Sequence, residues 1–286
     1  MAIATNTSLT YSSVAIREQL SDVIYNIAPM DTPFMSGCSK QTVDNTFFEW
    51  QTDSITAGAT NRKIEGDDSI AATARVLPTR LGNYAQISQY VNQTSGTDDA
   101  VNYAGHGKHQ AYQLAKNGKR MKRDMEGMLL ENIVRAAGNS TTARATAGVP
   151  AWLATNYVSM NPTSGSPAAG ATGTTAMTEA TATASITEAG IKNVIKDCYD
   201  AGGNPDLILA PSAIKQAISD LAQSVSSLRT NTKGDSPAHV VAAVDVYVSD
   251  FGTFRIVSDR NVKSTEHVFF LDMDFWAIGW LRPFQT

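Results

Sequence analysis

The sequence predicts an α+β fold on three observations: a long amphipathic helix over residues 106–136, two strand-like runs ahead of it separated by a polar excursion, and an aromatic-rich terminal stretch, HVFFLDMDFWAIGWLRPFQT, that reads as buried sheet. None of the three is self-sufficient. Each has a face or an end that needs something else to pack against.

Residues 1–12 are small and polar and read as an arm. A short helix is predicted from Ser13, with Val14, Leu20, Val23, Ile24 and Ile27 apolar, ending before Pro29. The run IAPMDTPFMSG then carries two prolines close together, which predicts an extended path. Its apolar anchors, Ile27, Met30, Phe34 and Met35, have little local structure to bury them, so the arm is expected to need a partner surface.

Residues 47–51 (FFEWQ) and 81–96 are strand-like. The stretch between them is rich in Ala, Thr, Gly and Asp, too polar for a core, and predicts a projecting β-hairpin loop. Glu65, Asp67 and Asp68 form an acidic cluster on it, with Arg62 and Lys63 alongside.

The helix over 106–136 would be roughly 46 Å long at about 1.5 Å per residue. At helical spacing Ala111, Leu114, Ala115, Gly118, Met121, Met125, Met128, Leu129 and Ile133 share one face, while Lys116, Arg120, Arg123, Glu131 and Arg135 share the other. Gly138-Asn139-Ser140 marks its predicted stop. Gly107, Gly118 and Gly127 each cost about 1 kcal/mol relative to alanine, so close packing must offset them. Gly127 falls on the outward face, where a second element is expected to cross. The basic block Lys116, Lys119, Arg120, Lys122 and Arg123 has few helical acids to pair with. Arg120–Asp124, Lys122–Glu126 and Glu131–Arg135 are the candidate pairs, each contributing about 0.2–0.5 kcal/mol.

After the helix, GVPAWLATNYVSM is an apolar landing around Trp152, and residues 161–185 are a low-complexity loop of Pro, Thr, Ser, Gly and Ala. From Ser185 the pattern is α/β in style. A helix with Ile186, Ile191, Val194 and Ile195 ends at Gly202-Gly203, residues 206–210 (DLILA) form a short buried strand, and residues 211–228 a second helix. Strands over 240–249 and 253–258 join through Asp250-Phe251-Gly252 as a hairpin. The terminal segment then supplies a strand, a turn at 272–274 and a second strand ending at Pro283.

Composition narrows the function. A net charge of −4 with 17% charged residues argues against a strongly basic nucleic-acid binder. Cys38 and Cys198 give no disulfide framework or zinc spacing and fit a reducing compartment. The N-terminal stretch has no basic and apolar signal pattern, and no apolar run is long enough to span a membrane, so a soluble, unsecreted chain is expected and the sequons at Asn6, Asn92 and Asn139 carry little weight. Asp250-Phe251-Gly252 matches a kinase magnesium-binding tripeptide, but the glycine-rich loop, strand lysine and catalytic loop that give it meaning are missing. His106 and His109 have metal-pair spacing without a third ligand, and Asp272 and Asp274 read as turn residues. No nucleophile elbow, phosphate loop or dinucleotide fingerprint occurs. The expectation is a non-enzyme with no catalytic, metal or cofactor residues.

Several stretches together carry a resemblance: REQLSDVIYNIAPMDTPFMS (17–36), FFEWQTDSI (47–55), IEGDD (64–68), TRLGNYAQIS (79–88), YQLAKNGKRMKRDMEGMLL (112–130), VYVSDFGTFRIVSDR (246–260) and LRPFQ (281–285). Their wording and order resemble tailed-bacteriophage major capsid proteins of the Hong Kong 97-type fold. The resemblance implies an N-terminal arm (1–45), an E-loop β-hairpin (46–96), a P-domain with a long spine helix (97–155), an α/β A-domain (156–262) and return strands into the P-domain sheet (263–286). It implies a virion capsid subunit that assembles in the bacterial host cytoplasm, as hexamers and pentamers, into an icosahedral shell around double-stranded DNA. Implied partners are other copies of itself, a portal protein at one vertex, scaffolding and cement proteins, and DNA bound non-specifically; no membrane is involved. In that fold the E-loop lies across a neighbour's spine helix, so Glu65, Asp67 and Asp68 are expected to pair with Lys116, Lys119, Arg120 and Arg123 of another copy. DNA phosphates are the competing partner for the same basic face. Some members cross-link through an E-loop lysine; Lys63 is suitably located, but with no matching partner motif noncovalent locking is expected. An array-forming or adhesive oligomeric surface protein is the alternative reading, prompted by the Ala/Thr/Ser/Gly-rich stretch.

Overall fold

The structure, a computed structural model, describes residues 31–55, 58, 60, 62, 64–66, 75–160, 165, 167, 171–179, 185–225, 244–262 and 267–285. The helix expected from Ser13, the anchors Ile27 and Met30, Lys63, Asp67 and Asp68, and the start of the strand expected at 240 lie outside the described residues. The chain separates into two compact units: Gln89–Met121 belongs to one, Asp31–Ser88 and Lys122–Thr286 to the other.

The larger unit is built on a four-stranded sheet in the order β5-β6-β4-β7, from β4 (Leu207–Ala210), β5 (Val246–Ser249), β6 (Gly252–Ser258) and β7 (Phe269–Leu271). β4 runs parallel to β6 and antiparallel to β7, and β5 and β6 form the expected hairpin through Asp250-Phe251-Gly252. Successive residues of a strand point to opposite faces, which explains the two cores. On one face Ile208, Phe254 and Ile256 pack with Ile191 and Ile195 of α4 (Glu188–Asp200) and Ile218 of α5 (Ser212–Val225). On the other, Leu209, Phe269 and Leu271 pack with Phe34, Cys38, Leu130, Val149 and Val262. β4 is buried along its whole length, as a strand covered on both faces must be. At the predicted start of α4, Thr187 caps the helix by accepting from Gly190 N–H. At its end Gly202, φ +87°, reverses the chain, and the Gly203 N–H returns to Cys198 O at 2.9 Å.

The hairpin expected around the polar excursion is present: β2 (Phe47–Thr52) pairs antiparallel with β3 (Thr79–Tyr84). β3 is shorter than the run that predicts it, stopping at Tyr84. A second, unpredicted pairing joins β1 (Ser39–Thr42) in parallel with β8 (Ala277–Trp280), Ser39 facing Ala277 and Thr42 facing Trp280.

The segment with two prolines is not extended throughout. Pro33–Gly37 forms a short helix, α1, started by a proline at its first position, where the missing N–H costs nothing. Phe34 and Met35 are buried in the chain's own core, with the Phe34 ring edge-on to Trp276 at 5.8 Å. The expectation that these two anchors need another surface is therefore corrected.

In the smaller unit α2 (Gly96–Ala100) is capped by Ser95, which accepts from Asp98 N–H. The rings of Tyr103 and His106 stack at 4.8 Å, and His106 Nε2 lies 3.1 Å from His109 Nδ1. The pair is packed among the rings of Tyr103 and Tyr112.

The long helix, α3, spans His109–Leu129, with Met121 in the smaller unit and Lys122 in the larger. It stops well short of residue 136. Asn132 is held by Met177, with Nδ2 donating to Met177 O at 2.7 Å and Oδ1 accepting Met177 N–H at 3.0 Å. Arg135 N–H donates to Gly173 O, and Ala136 pairs with Ala145. Gly148 N–H donates to Ile133 O at 2.9 Å. These bonds take the groups that would otherwise continue the helical ladder. The landing at residue 152 forms as a 3-10 turn, Val149–Trp152, with Trp152 against Trp50 at 5.2 Å.

Candidate functional site

The basic face of α3 begins with spacing alone: lysines and arginines three and four apart emerge on one side. Lys116, Lys119, Arg120 and Lys122 are exposed and Arg123 is half-buried. The Arg120 guanidinium lies 4.6 Å over the Tyr90 ring, and Arg123 Nε sits 3.9 Å from Asp124. Lys116, Lys119 and Lys122 put exposed positive charge on this face.

On the hairpin Glu65 is exposed, while Asp67 and Asp68 lie outside the described residues. The sequence reading missed how apolar the outer part of the excursion is. Ile55 is 100%, Ile64 82% and Leu77 77% exposed. A single exposed Ile or Leu is ordinary; several along one connection suit contact with another surface.

The largest departure from sequence expectation is the inward face of α3. The helix residues buried are Glu126 and Gly127, on the side that spacing assigned to solvent. Glu126 does not form the expected surface pair with Lys122. Its Oε1 accepts Phe34 N–H at 2.7 Å and its Oε2 accepts Met35 N–H at 2.8 Å, so it caps the first turn of α1. Gly127, next to it, is buried as well, not on the outward face that spacing gave it.

Asp259, in the turn after β6, is also buried, and the two carboxyls are within hydrogen-bonding reach of each other. Asp259 Oδ1 accepts Asn261 N–H at 2.8 Å and Asn261 Nδ2–H at 3.0 Å. Burial pushes Glu126 up to about 7, with the charge of Asp259 adding to the rise and the Met35 and Phe34 N–H groups opposing it. Burial also raises Asp259, against the two bonds from Asn261. Beside them burial pushes the Cys38 thiol up to about 12, the Glu126 charge contributing. No spacing signal marks this cluster, because its members come from segments far apart in the chain.

Among the described residues no group of three or more His, Cys, Asp or Glu is arranged to hold a metal ion, and no helix is long and apolar enough to cross a membrane. What the geometry offers is surface: exposed cations along α3, and exposed apolar side chains with Glu65 on the connection between β2 and β3. Residues 3–286 match the family described as SU10 major capsid protein. The chain belongs to that family. Membership in the SU10 major capsid protein family bears out the resemblance to tailed-phage major capsid proteins, and it is a structural family rather than an enzymatic one. A further relative is the major capsid protein of Escherichia phage Phieco32, 37% identical over 111 residues, which are 38% of this chain. The chain spans about a third of that relative's length, 31%. Among solved structures, the Cyanophage A-1(L) capsid asymmetric unit is similar with a TM-score of 0.60 at 15% identity, over 93% of this chain and 77% of that one. At that identity the likeness is one of fold, a mixed helix and strand fold shared with a phage capsid unit.

Proposed function

We propose that this chain is the shell subunit of a tailed phage, assembling as hexamers and pentamers into an icosahedral capsid that encloses double-stranded DNA. The observation that carries this is the family match over residues 3–286. The capsid-unit fold along 93% of the chain supports it. On this reading the Hong Kong 97-type layout applies: residues 1–45 are the arm, the β2–β3 hairpin is the base of the E-loop (46–96), α3 is the spine of the P-domain (97–155), strands β4, β5 and β6 with α4 and α5 lie in the A-domain (156–262), and residues 263–286 supply the return strands β7 and β8, of which β7 joins the A-domain sheet beside β4. Copies of the chain, a portal, scaffolding and cement proteins and DNA are its partners, and assembly takes place in the host cytoplasm.

The exposure of Lys116, Lys119 and Arg120 and of Glu65 suits ion pairs between copies, with Asp67, Asp68 and Arg123 completing the set. Exposed pairs contribute about 0–1 kcal/mol each, so their role is to fix register more than to supply strength. The apolar Ile55, Ile64 and Leu77 would supply the burial. The array-forming alternative has no support in the family found. Expression of the chain alone tests the proposal: closed particles, tubes or capsomers in negative stain are expected. A chain that sediments only as a monomer under all salt conditions overturns it.

A further inference from the structure

Two buried carboxyls meet at the junction of α3 with the turn that follows β6, and no cation joins them. Glu126 is 0% and Asp259 2% exposed. Among the described residues neither makes an ion pair, and no donor reaches Asp259 Oδ2, although that atom is fully enclosed. A buried oxygen left without a donor costs about 1–3 kcal/mol, more when charged, so Asp259 Oδ2 calls for a hydrogen. A proton held between the two carboxyls supplies it.

We propose that Glu126 and Asp259 share a single proton, and that this proton fastens the turn at 259–262 to helix α3. With the proton in place one carboxyl donates to the other. Without it two like charges face each other behind an apolar wall that includes Phe34, Leu130 and Val262, and the turn is driven off. The amides of Phe34 and Met35 stay on Glu126 in both states, because they favour the ionised carboxylate. The contact that the proton controls is the one to Asp259. Asn261 transmits it further, since its Nδ2–H donates to Asp31 O at 2.9 Å as well as to Asp259.

Among the described residues the charged and titratable groups around the pair are few. On α3 Arg123 and Asp124 line an open cleft of about 350 Å³ together with Asn261, the residue that bonds Asp259. From the α1 side come the Cys38 thiol and, against Asp259, Asp31. From the turn itself only Arg260 is added, and it is exposed. The rise in the Glu126 pKa to about 7 sets where the device operates.

Hydrogen–deuterium exchange on the purified full-length chain tests this, corrected for intrinsic rates. Between about pH 6 and about pH 8.5, protection of residues 255–262 is expected to fall about tenfold while residues 34–38 stay protected. Glu126→Gln, whose amide donates to Asp259 at any pH, flattens the change. Asp259→Asn, which removes the like charge from the other side, flattens it too and carries the test if the first variant does not fold. A flat wild-type profile, or a variant that folds and keeps the tenfold change, overturns the proposal.

Discussion

Asn132 pairs with Met177 as one strand residue pairs with another, its side-chain amide standing in for a peptide group at 2.7 and 3.0 Å. This pairing lies just beyond the end of α3. Asn132→Ala leaves both Met177 groups without partners and is expected to cost about 1–3 kcal/mol. Asn132→Asp costs more, because it sets an acceptor against Met177 O and a second negative charge beside Glu179, whose Oε1 is 3.2 Å from Asn132 Nδ2. Urea denaturation of the two variants checks the ranking; equal loss in both contradicts it.

Phe34 is 2% exposed and packs with Leu130, Leu209 and Phe269. Phe34→Ala is expected to destabilise the larger unit by about 3–5 kcal/mol, seen as a lower thermal midpoint before any effect on assembly is scored. A truncation through Met35 therefore cannot separate folding from assembly.

Glu126 titrates at about 7 in the folded chain against an ordinary 4.5. Between those values the folded state binds a proton that the unfolded state has released, so the stabilising term is complete below about pH 4.5 and is lost as pH rises through about 7. At about 1.4 kcal/mol per unit the shift is worth on the order of 3 kcal/mol. The difference in unfolding free energy between wild type and Glu126→Gln, followed by urea titration across that interval, isolates it. A difference that grows in favour of the wild type as pH rises has the wrong sign.

Reversing Asp67 and Asp68 to lysine is expected to lower the salt concentration at which capsomers or shells fall apart, and reversing Lys116 and Lys119 in the same chain to restore it in part. Sedimentation across a salt series reads this out. If single and combined reversals behave alike while DNA retention changes, phosphate is the partner of the basic face.

What could be read from the sequence was local. The 3.6-residue pattern of Ile191 and Ile195, the glycine stop at 202–203, the apolar run 207–210 and the turn at Asp250-Phe251-Gly252 each lie within a few residues of what they specify, and each element forms. The wording of the seven quoted stretches was enough for the family. The end of α3 was not legible, because residues 130–136 carry no helix breaker and are diverted by bonds to Met177, Gly173 and Ala145. Glu126 was misread for the same reason: an acid four residues after a lysine looks like a surface pair, and only the arrival of α1 turns it inward. The basic face is present as a run of exposed side chains on α3.

The parallel pairing of β1 with β8 also orders events in time. Residue 39 leaves the ribosome long before residue 277, and at about 5–20 residues per second the interval is roughly 10–50 s. Until then β1 is an unpaired edge and the core around Phe34 lacks Phe269, Leu271 and Trp276. A nascent subunit thus cannot complete the body on which its outer surfaces are mounted, and its entry into a lattice waits for the last strands to be made.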